Sequence, residues 1–390
     1  MFLPILLLAT VALMIAGIDI YLPCMPHMTD HFQTTEFMMQ LSIMATTVSS
    51  ALFSLFWGRY CDTHGRRRPI LLALALYGFG AYLCTLPSNM ELFLAARFIQ
   101  AIGGGGLSVL TIVILSDLYH GPRYAQFLAI YGLMFPAVFA LAPLLGAQIF
   151  IRSGWQTNFH FIAILATIFF IAFYFKLPET LKKESIEKAK HQSLKTIVKL
   201  FMDVDFMRYG LGHALPISIS ILFTANSAFI FVNHFQFTPV EYSIAQAIPV
   251  LFNFAGALLY SKYVTKFGLY KFIRLGAMTC GFFSSFIIPI ILFRIDSPII
   301  ILCAMSWFMA FLSCTVASCA TKAYESKPDD RGLAVAVVTL LRNTLASISV
   351  ISCGFFINGT IYPMLIFMCI IGYIIFALLR KSPVTIENGI

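Results

Sequence analysis

The sequence predicts an all-α integral membrane protein with twelve transmembrane helices in two six-helix bundles. Three observations carry this. Of 390 residues, 59% are hydrophobic and only 11% are charged, against roughly 25% charged in a soluble domain. So few charges cannot cover a soluble surface of this size. Twelve apolar segments are each long enough to cross a ~30 Å hydrocarbon core, which takes about 20 residues. A Lys- and Glu-rich stretch, 178–205, parts these segments into two sets of six.

The segments run about 2–22, 37–58, 69–87, 90–115, 123–150, 157–177, 206–233, 240–261, 271–293, 297–321, 332–357 and 361–380. The chain is apolar from Met1, with neither a basic n-region nor a small-residue cleavage site, so the first segment reads as a span and not a signal peptide. The organisation expected is a first bundle over 1–177, a cytoplasmic linker over 178–205 and a second bundle over 206–390. With the N-terminus inside, every Lys and Arg lies on the cytoplasmic side except Arg97, Arg152, Arg294 and Arg342. That is the positive-inside pattern, and it places both termini in the cytoplasm. It also accounts for the net charge of +9 without nucleic acid. The nine cysteines sit almost entirely in apolar runs with no metal-ligand spacing, and read as small buried hydrophobes. The partners expected are the lipid bilayer, a small-molecule cargo and a coupling proton. No metal or other cofactor is expected, and the oligomeric state expected is a monomer.

A weak repeat links the halves. Gly58-Arg-Tyr-Cys-Asp62-Thr-His-Gly65-Arg66-Arg67-Arg68 follows span 2, and Ser261-Lys-Tyr-Val-Thr265-Lys-Phe-Gly268-Leu-Tyr-Lys271 follows span 8. The turn glycine keeps its place, while the Asp has no counterpart. Two related halves suit a secondary transporter. Gly65 permits a tight turn, and Asp62 is placed to sit at a helix N-terminus or to pair with Arg66.

The run from Gly58 to Arg68 is similar to the signature loop of the major facilitator superfamily. Further stretches narrow this: Asp19-Ile-Tyr21-Leu22-Pro23-Cys-Met-Pro26, Arg97-Phe-Ile-Gln100-Ala-Ile-Gly103, Asp117-Leu-Tyr119, Ala142-Pro143-Leu-Leu-Gly146 and Leu177-Pro178-Glu179-Thr180. Together they resemble the bicyclomycin-resistance (Bcr/CflA) type of drug–proton antiporter over most of residues 15–180. The resemblance implies a twelve-helix fold, alternating access, a bacterial inner membrane and export driven by protons. It implies a conformational latch of Gly58, Asp62, Gly65, Arg66, Arg68 and Asp117, and a gating bend at Pro143 and Gly146. Three features depart from it: Val11 and Ile15 stand where a second carboxylate is common, Ala142 replaces a Gly, and Arg342 is unexpected.

Only Asp19, Arg97 and Arg342 place charge well inside spans. Such groups are functional candidates, because burying them is costly unless they are paired or wetted. A 1.5 Å rise per residue puts Asp19 roughly 6 Å and Arg97 about 10 Å below the outer boundary. Asp19 is therefore expected to be the proton-coupling carboxylate: burial favours its neutral form, Arg97 its ionised form, and a small movement tips the balance. The plain alternative is a static Asp19–Arg97 ion pair. Arg342, near the midplane, makes the intramembrane total +1 and favours a neutral or anionic cargo, for example a carboxylate siderophore or organic acid. Its plain alternative is a bond to carbonyls or a neighbouring Asn. Tyr21, Gln100, Asn226, Asn253 and Asn343 are the other expected cargo contacts, each equally able to bridge helices. Enzyme motifs such as HExxH, GxSxG and the P-loop are missing from the sequence, so neither an intramembrane enzyme nor an ATP-driven pump is expected. Two transporter readings remain: a broad drug–proton exporter and a carrier of one anionic metabolite.

Overall fold

The structure, a computed structural model, describes residues 2–119, 121–179, 199–326, 331–356 and 359–380. The side chains of some residues within these ranges, Asp62 among them, lie outside the description, as does most of the linker. All regular structure among the described residues is helical. The twelve long helices are α1 (Phe2–Asp19), α2 (Glu36–His64), α3 (Arg67–Leu83), α4 (Met90–Leu118), α5 (Gly121–Ser153), α6 (Gln156–Lys176), α7 (Val204–Phe229), α8 (Pro239–Phe267), α9 (Leu269–Leu292), α10 (Pro298–Glu325), α11 (Arg331–Gly354) and α12 (Tyr362–Leu379).

Polar residues set where several of these begin, by accepting backbone N–H groups that a first turn leaves without partners. Thr35 accepts from Met38 N, Asn89 from Leu92 N and Asp203 from Phe206 N. Thr238 and Glu241 cap α8 reciprocally: Thr238 N donates to Glu241 Oε2 at 2.8 Å and Glu241 N to Thr238 Oγ1 at 3.3 Å.

Among the described residues, eleven helical stretches are long and apolar enough to cross a membrane. The remaining helix, α3, has 17 residues, or about 26 Å. The sequence places it at 69–87, but it stops at Leu83, because Pro87 cannot extend a helix and Asn89 already starts the next. The first span also differs from expectation. The chain does not leave it near residue 22: a 3₁₀ turn, Leu22–Cys24, leads into a further helix, Met25–His31. The helical path thus continues beyond Asp19 as far as His31.

The chain divides into two compact units, Met1–Gln192 with Thr238–Ser243, and Ser193–Phe237 with Ile244–Ile390. In the first, α1 packs on α4, α5 and α6, and α3 on α4 and α6; in the second, α7 packs on α10, α11 and α12, and α9 on α10 and α12. Each pairing recurs with its helix number raised by six, so the weak repeat of the two loops extends to the packing of both units. The first unit's core lies where Leu7, Val11 and Ile15 of α1 meet Ala73 and Tyr77 of α3 and Leu107 and Leu110 of α4. Gly103, Gly105 and Gly106 allow this closeness: a Cβ at Gly103 would strike the α3 backbone, one at Gly105 the carbonyl of Ser50, and one at Gly106 the ring of Trp57.

Candidate functional site

Asp19 is the last residue of α1 and is 1% exposed. The helix ends there because Pro23 and Pro26 follow, and Pro23 opens the 3₁₀ turn. Arg97, on α4, is also 1% exposed. Its guanidinium lies over the ring of Tyr21, 4.6 Å from the centroid, and 5.6 Å from that of Phe159, an arrangement that stabilises a desolvated cation by ~2 kcal/mol. Nη1 donates to Gly17 O at 3.1 Å and to Gln100 Oε1 at 2.5 Å. The Gly17 carbonyl belongs to the last turn of α1, where such groups lack helical partners.

Asp19 and Arg97 do not touch. The ion pairs among the described residues do not join them. Asp19 Oδ2, Arg97 Nε and Arg97 Nη2 are all buried without a hydrogen-bond partner, although the arginine charge is close enough to act on Asp19 through space. The static ion pair that is the plain alternative is therefore not formed, and the reason is local: Gly17, Gln100 and two aromatic rings already hold the guanidinium. A small cavity of about 20 Å³, room for about one water, adjoins it, lined among others by Gly17, Thr46, Ser50, Tyr77, Arg97 and Gln100. A Cβ at Gly17 would collide with the Tyr77 hydroxyl, which donates to Leu13 O at 3.0 Å. Tyr21, an expected cargo contact, is wholly buried; its hydroxyl is 2.8 Å from Ser42 Oγ and its face is turned to Arg97.

The loop after α2 forms a second cluster. Gly65 has φ 88°, and a Cβ there would run into the Glu179 carboxylate. Glu179 accepts from Arg66 N at 2.7 Å and Arg67 N at 3.3 Å, at the start of α3, where a carboxylate meets the positive end of the helix dipole. Arg66 Nε donates to Asp117 Oδ2 at 2.8 Å and Nη1 to Cys61 O at 2.7 Å. The Arg66–Asp62 pairing expected from sequence involves a side chain outside the described residues; the pairing shown is Arg66–Asp117. Arg68 is exposed, and a Cβ at Gly58 would meet nothing within 4 Å. Of the predicted latch, then, Gly65, Arg66 and Asp117 come together. Glu179 is the residue that sequence reasoning left out of it, even though it lies in one of the motifs quoted above. In the expected gating bend, Pro143 lies inside α5, and a Cβ at Gly146 would strike Ile20 O at the end of α1.

The second unit uses its polar groups differently. Asn253 Nδ2 donates to Met309 O at 3.1 Å and Ser313 Oγ at 3.3 Å, bridging α8 and α10. Asn226 Nδ2 donates within its own helix to Leu222 O. Arg342, half-buried in α11, donates from Nε to Asn343 Oδ1 at 3.1 Å, the neighbouring-Asn bond that was the plain alternative for it. His213 Nδ1 is 3.0 Å from Val316 O. The structure thus collects Asp19, Tyr21, Arg97 and Gln100 in one cluster of the first unit, and places Asn226, Asn253, Arg342 and Asn343 in the second.

Residues 7–350 match the Major Facilitator Superfamily. The chain belongs to that superfamily. It is 26% identical over 336 residues to an uncharacterized MFS-type transporter, YdgK of Bacillus subtilis (strain 168), covering 85% of this chain and 83% of YdgK. It is 26% identical over 265 residues to the multidrug resistance protein MdtL of Salmonella heidelberg (strain SL476), covering 67% of this chain and 66% of MdtL. Among solved structures it is similar to a D-xylose–proton symporter (TM-score 0.75, 14% identity, 97% of each chain) and to the human organic anion transporter MFSD10 (TM-score 0.71, 16% identity, 96% of this chain and 98% of the other). At such identities these two establish the fold alone. This superfamily chain is a multi-pass membrane transporter rather than an enzyme.

Proposed function

We propose that the protein exports small molecules across a bacterial inner membrane in exchange for protons, as a multidrug-type antiporter of the Bcr/CflA kind. Bundles 1–177 and 206–390, joined by a cytoplasmic linker at 178–205, alternate access as a monomer with both termini in the cytoplasm. One observation carries this: a fully buried carboxylate has an oxygen without a partner, near a fully buried arginine with two nitrogens without partners. A buried charge left in this state is costly, so the cluster favours a change of protonation or of position. Proton arrival at Asp19 removes the attraction to Arg97 and loss of the proton restores it. Arg66, Asp117 and Glu179 hold one conformation and release it in the other. The similarity to MdtL supports drug export as the cargo class.

A second reading has its own support. The buried Arg97, whose Nε and Nη2 lack hydrogen-bond partners, and Arg342 in the second unit suit a carboxylate cargo such as a siderophore or organic acid. Everted vesicles under an imposed pH gradient, given ethidium, chloramphenicol or citrate, separate the two. Uptake of the first two supports the drug exporter, and citrate alone supports the anion carrier. Undiminished pH-driven uptake in Asp19→Asn would remove the coupling role.

A further inference from the structure

The lipid-facing seam between α9 and α12 carries two arginines that the transport reading does not use. The contacts along it fix its register. A Cβ at Gly281 would press on the Phe376 ring, and Ser285 Oγ is 3.0 Å from Tyr373 Oη, so the helices run antiparallel. On α9, Arg274, Gly281 and Ser285 share one face, since seven and eleven residues are close to whole numbers of 3.6-residue turns. On α12, Tyr373 and Arg380 share a face for the same reason. Following both faces away from the Ser285–Tyr373 contact, Arg274 lies about 10 Å beyond Gly281 and Arg380 about 6 Å beyond Phe376. Both therefore stand at the same end of one groove, where α9 starts and α12 finishes.

Neither is otherwise engaged. Arg274 and Arg380 are exposed, and the ion pairs among the described residues involve neither. Arg380 only lies over its own helix's Phe376, 5.8 Å from the ring centroid. Nearby Arg208 differs, because it donates to Leu378 O at 3.0 Å and so closes the end of α12. Along the groove Met278, one turn beyond Arg274, is 48% exposed, and the Phe376 ring and the Ser285–Tyr373 contact follow it; Phe282 turns away to α10, its ring 5.5 Å from that of Trp307.

We infer that this groove binds one anionic glycerophospholipid of the cytoplasmic leaflet. Its phosphate sits between Arg274 and Arg380, and an acyl chain runs along the seam from Met278 past Phe376 toward the Ser285–Tyr373 contact. Two guanidiniums at the interface supply paired donors for phosphate oxygens, and their aliphatic stems reach the headgroup level by snorkelling. From Arg274 to Ser285 the seam runs about 16 Å, close to one leaflet of a ~30 Å core. The cytoplasmic leaflet is both the one that carries anionic lipid and the one that faces these residues in the orientation proposed above.

The test is retention of phosphatidylglycerol by the purified full chain, read by native mass spectrometry and by titration in detergent, with phosphatidylethanolamine as comparison. Wild type is expected to retain one phosphatidylglycerol in preference to phosphatidylethanolamine. The double variant Arg274→Gln/Arg380→Gln is expected to bind it about 30-fold more weakly. Lys262→Gln/Lys266→Gln, which removes the same charge from the cytoplasmic end of α8, is expected to keep it. Equal retention by wild type and the arginine variant would overturn the site, and so would equal loss in both double variants. Competition by inorganic phosphate as effective as by the lipid would show a simple anion site and also overturn it. A variant that loses the lipid while its unfolding temperature in lipid-free detergent is unchanged supports the site over a folding defect.

Discussion

Gly65 and Gly268 occupy matching turns, between α2 and α3 and between α8 and α9, and hold nearly the same backbone: φ 88°, ψ −175° and φ 78°, ψ 158°. Only glycine adopts this region readily. Around Gly65 the Glu179 carboxylate closes on the turn; around Gly268 a Cβ would meet nothing within 4 Å. The same asymmetry runs through the spans. The first unit leaves charged Asp19 and Arg97 buried with unpartnered atoms, whereas among the described residues of the second unit such atoms belong to the neutral Gln246, Ser284 and Ser347. The repeat has kept the backbone and the helix packing in both units, and placed clasp and buried acid in one. Geometry and chemistry are thus separable here.

Glycine replacement should expose the difference most strongly. Gly65→Ala should destabilise the protein by roughly 3–5 kcal/mol, combining backbone strain with displacement of Glu179, while Gly268→Ala should lose only the strain, about 1–3 kcal/mol. Thermal unfolding of the two variants in one detergent measures the gap; equal losses would erase the clasp. Tyr21→Leu should come next, at about 2–3 kcal/mol, because it removes both the face over Arg97 and the bond to Ser42. Asp117→Asn should cost about 1–2 kcal/mol, since Arg66 is largely buried and loses its anionic partner; the same readout applies. Smallest is Asn253→Ala, at ~0.6 kcal/mol, the usual size of a bond between membrane helices, with no change in the pH dependence of transport.

Much of this was readable from the chain alone, for identifiable reasons. Span positions follow from runs of apolar residues, which reflect the bilayer and not tertiary packing. Asp19 and Arg97 stand out because charge is rare inside spans, and Gly65 because a turn glycine keeps its offset in the repeat. What was not readable depends on contacts between distant parts of the chain. Glu179 is 113 positions from Arg66, and nothing local to either indicates that they meet. Likewise Arg97 packs against the adjoining rings of Tyr21 and Phe159, residues far from it in the chain. The early end of α3 was visible in Pro87, and the hydropathy of the following residues masked it.

The central claim is that Asp19 couples cargo to protons rather than merely shaping the first unit. It is tested most directly in proteoliposomes holding the Asp19→Asn variant, by comparing cargo exchange at equal pH with accumulation against a gradient driven by a pH difference. The account predicts that exchange persists near the wild-type rate while uphill accumulation disappears. Accumulation equal to that of wild type under the same pH difference would contradict it.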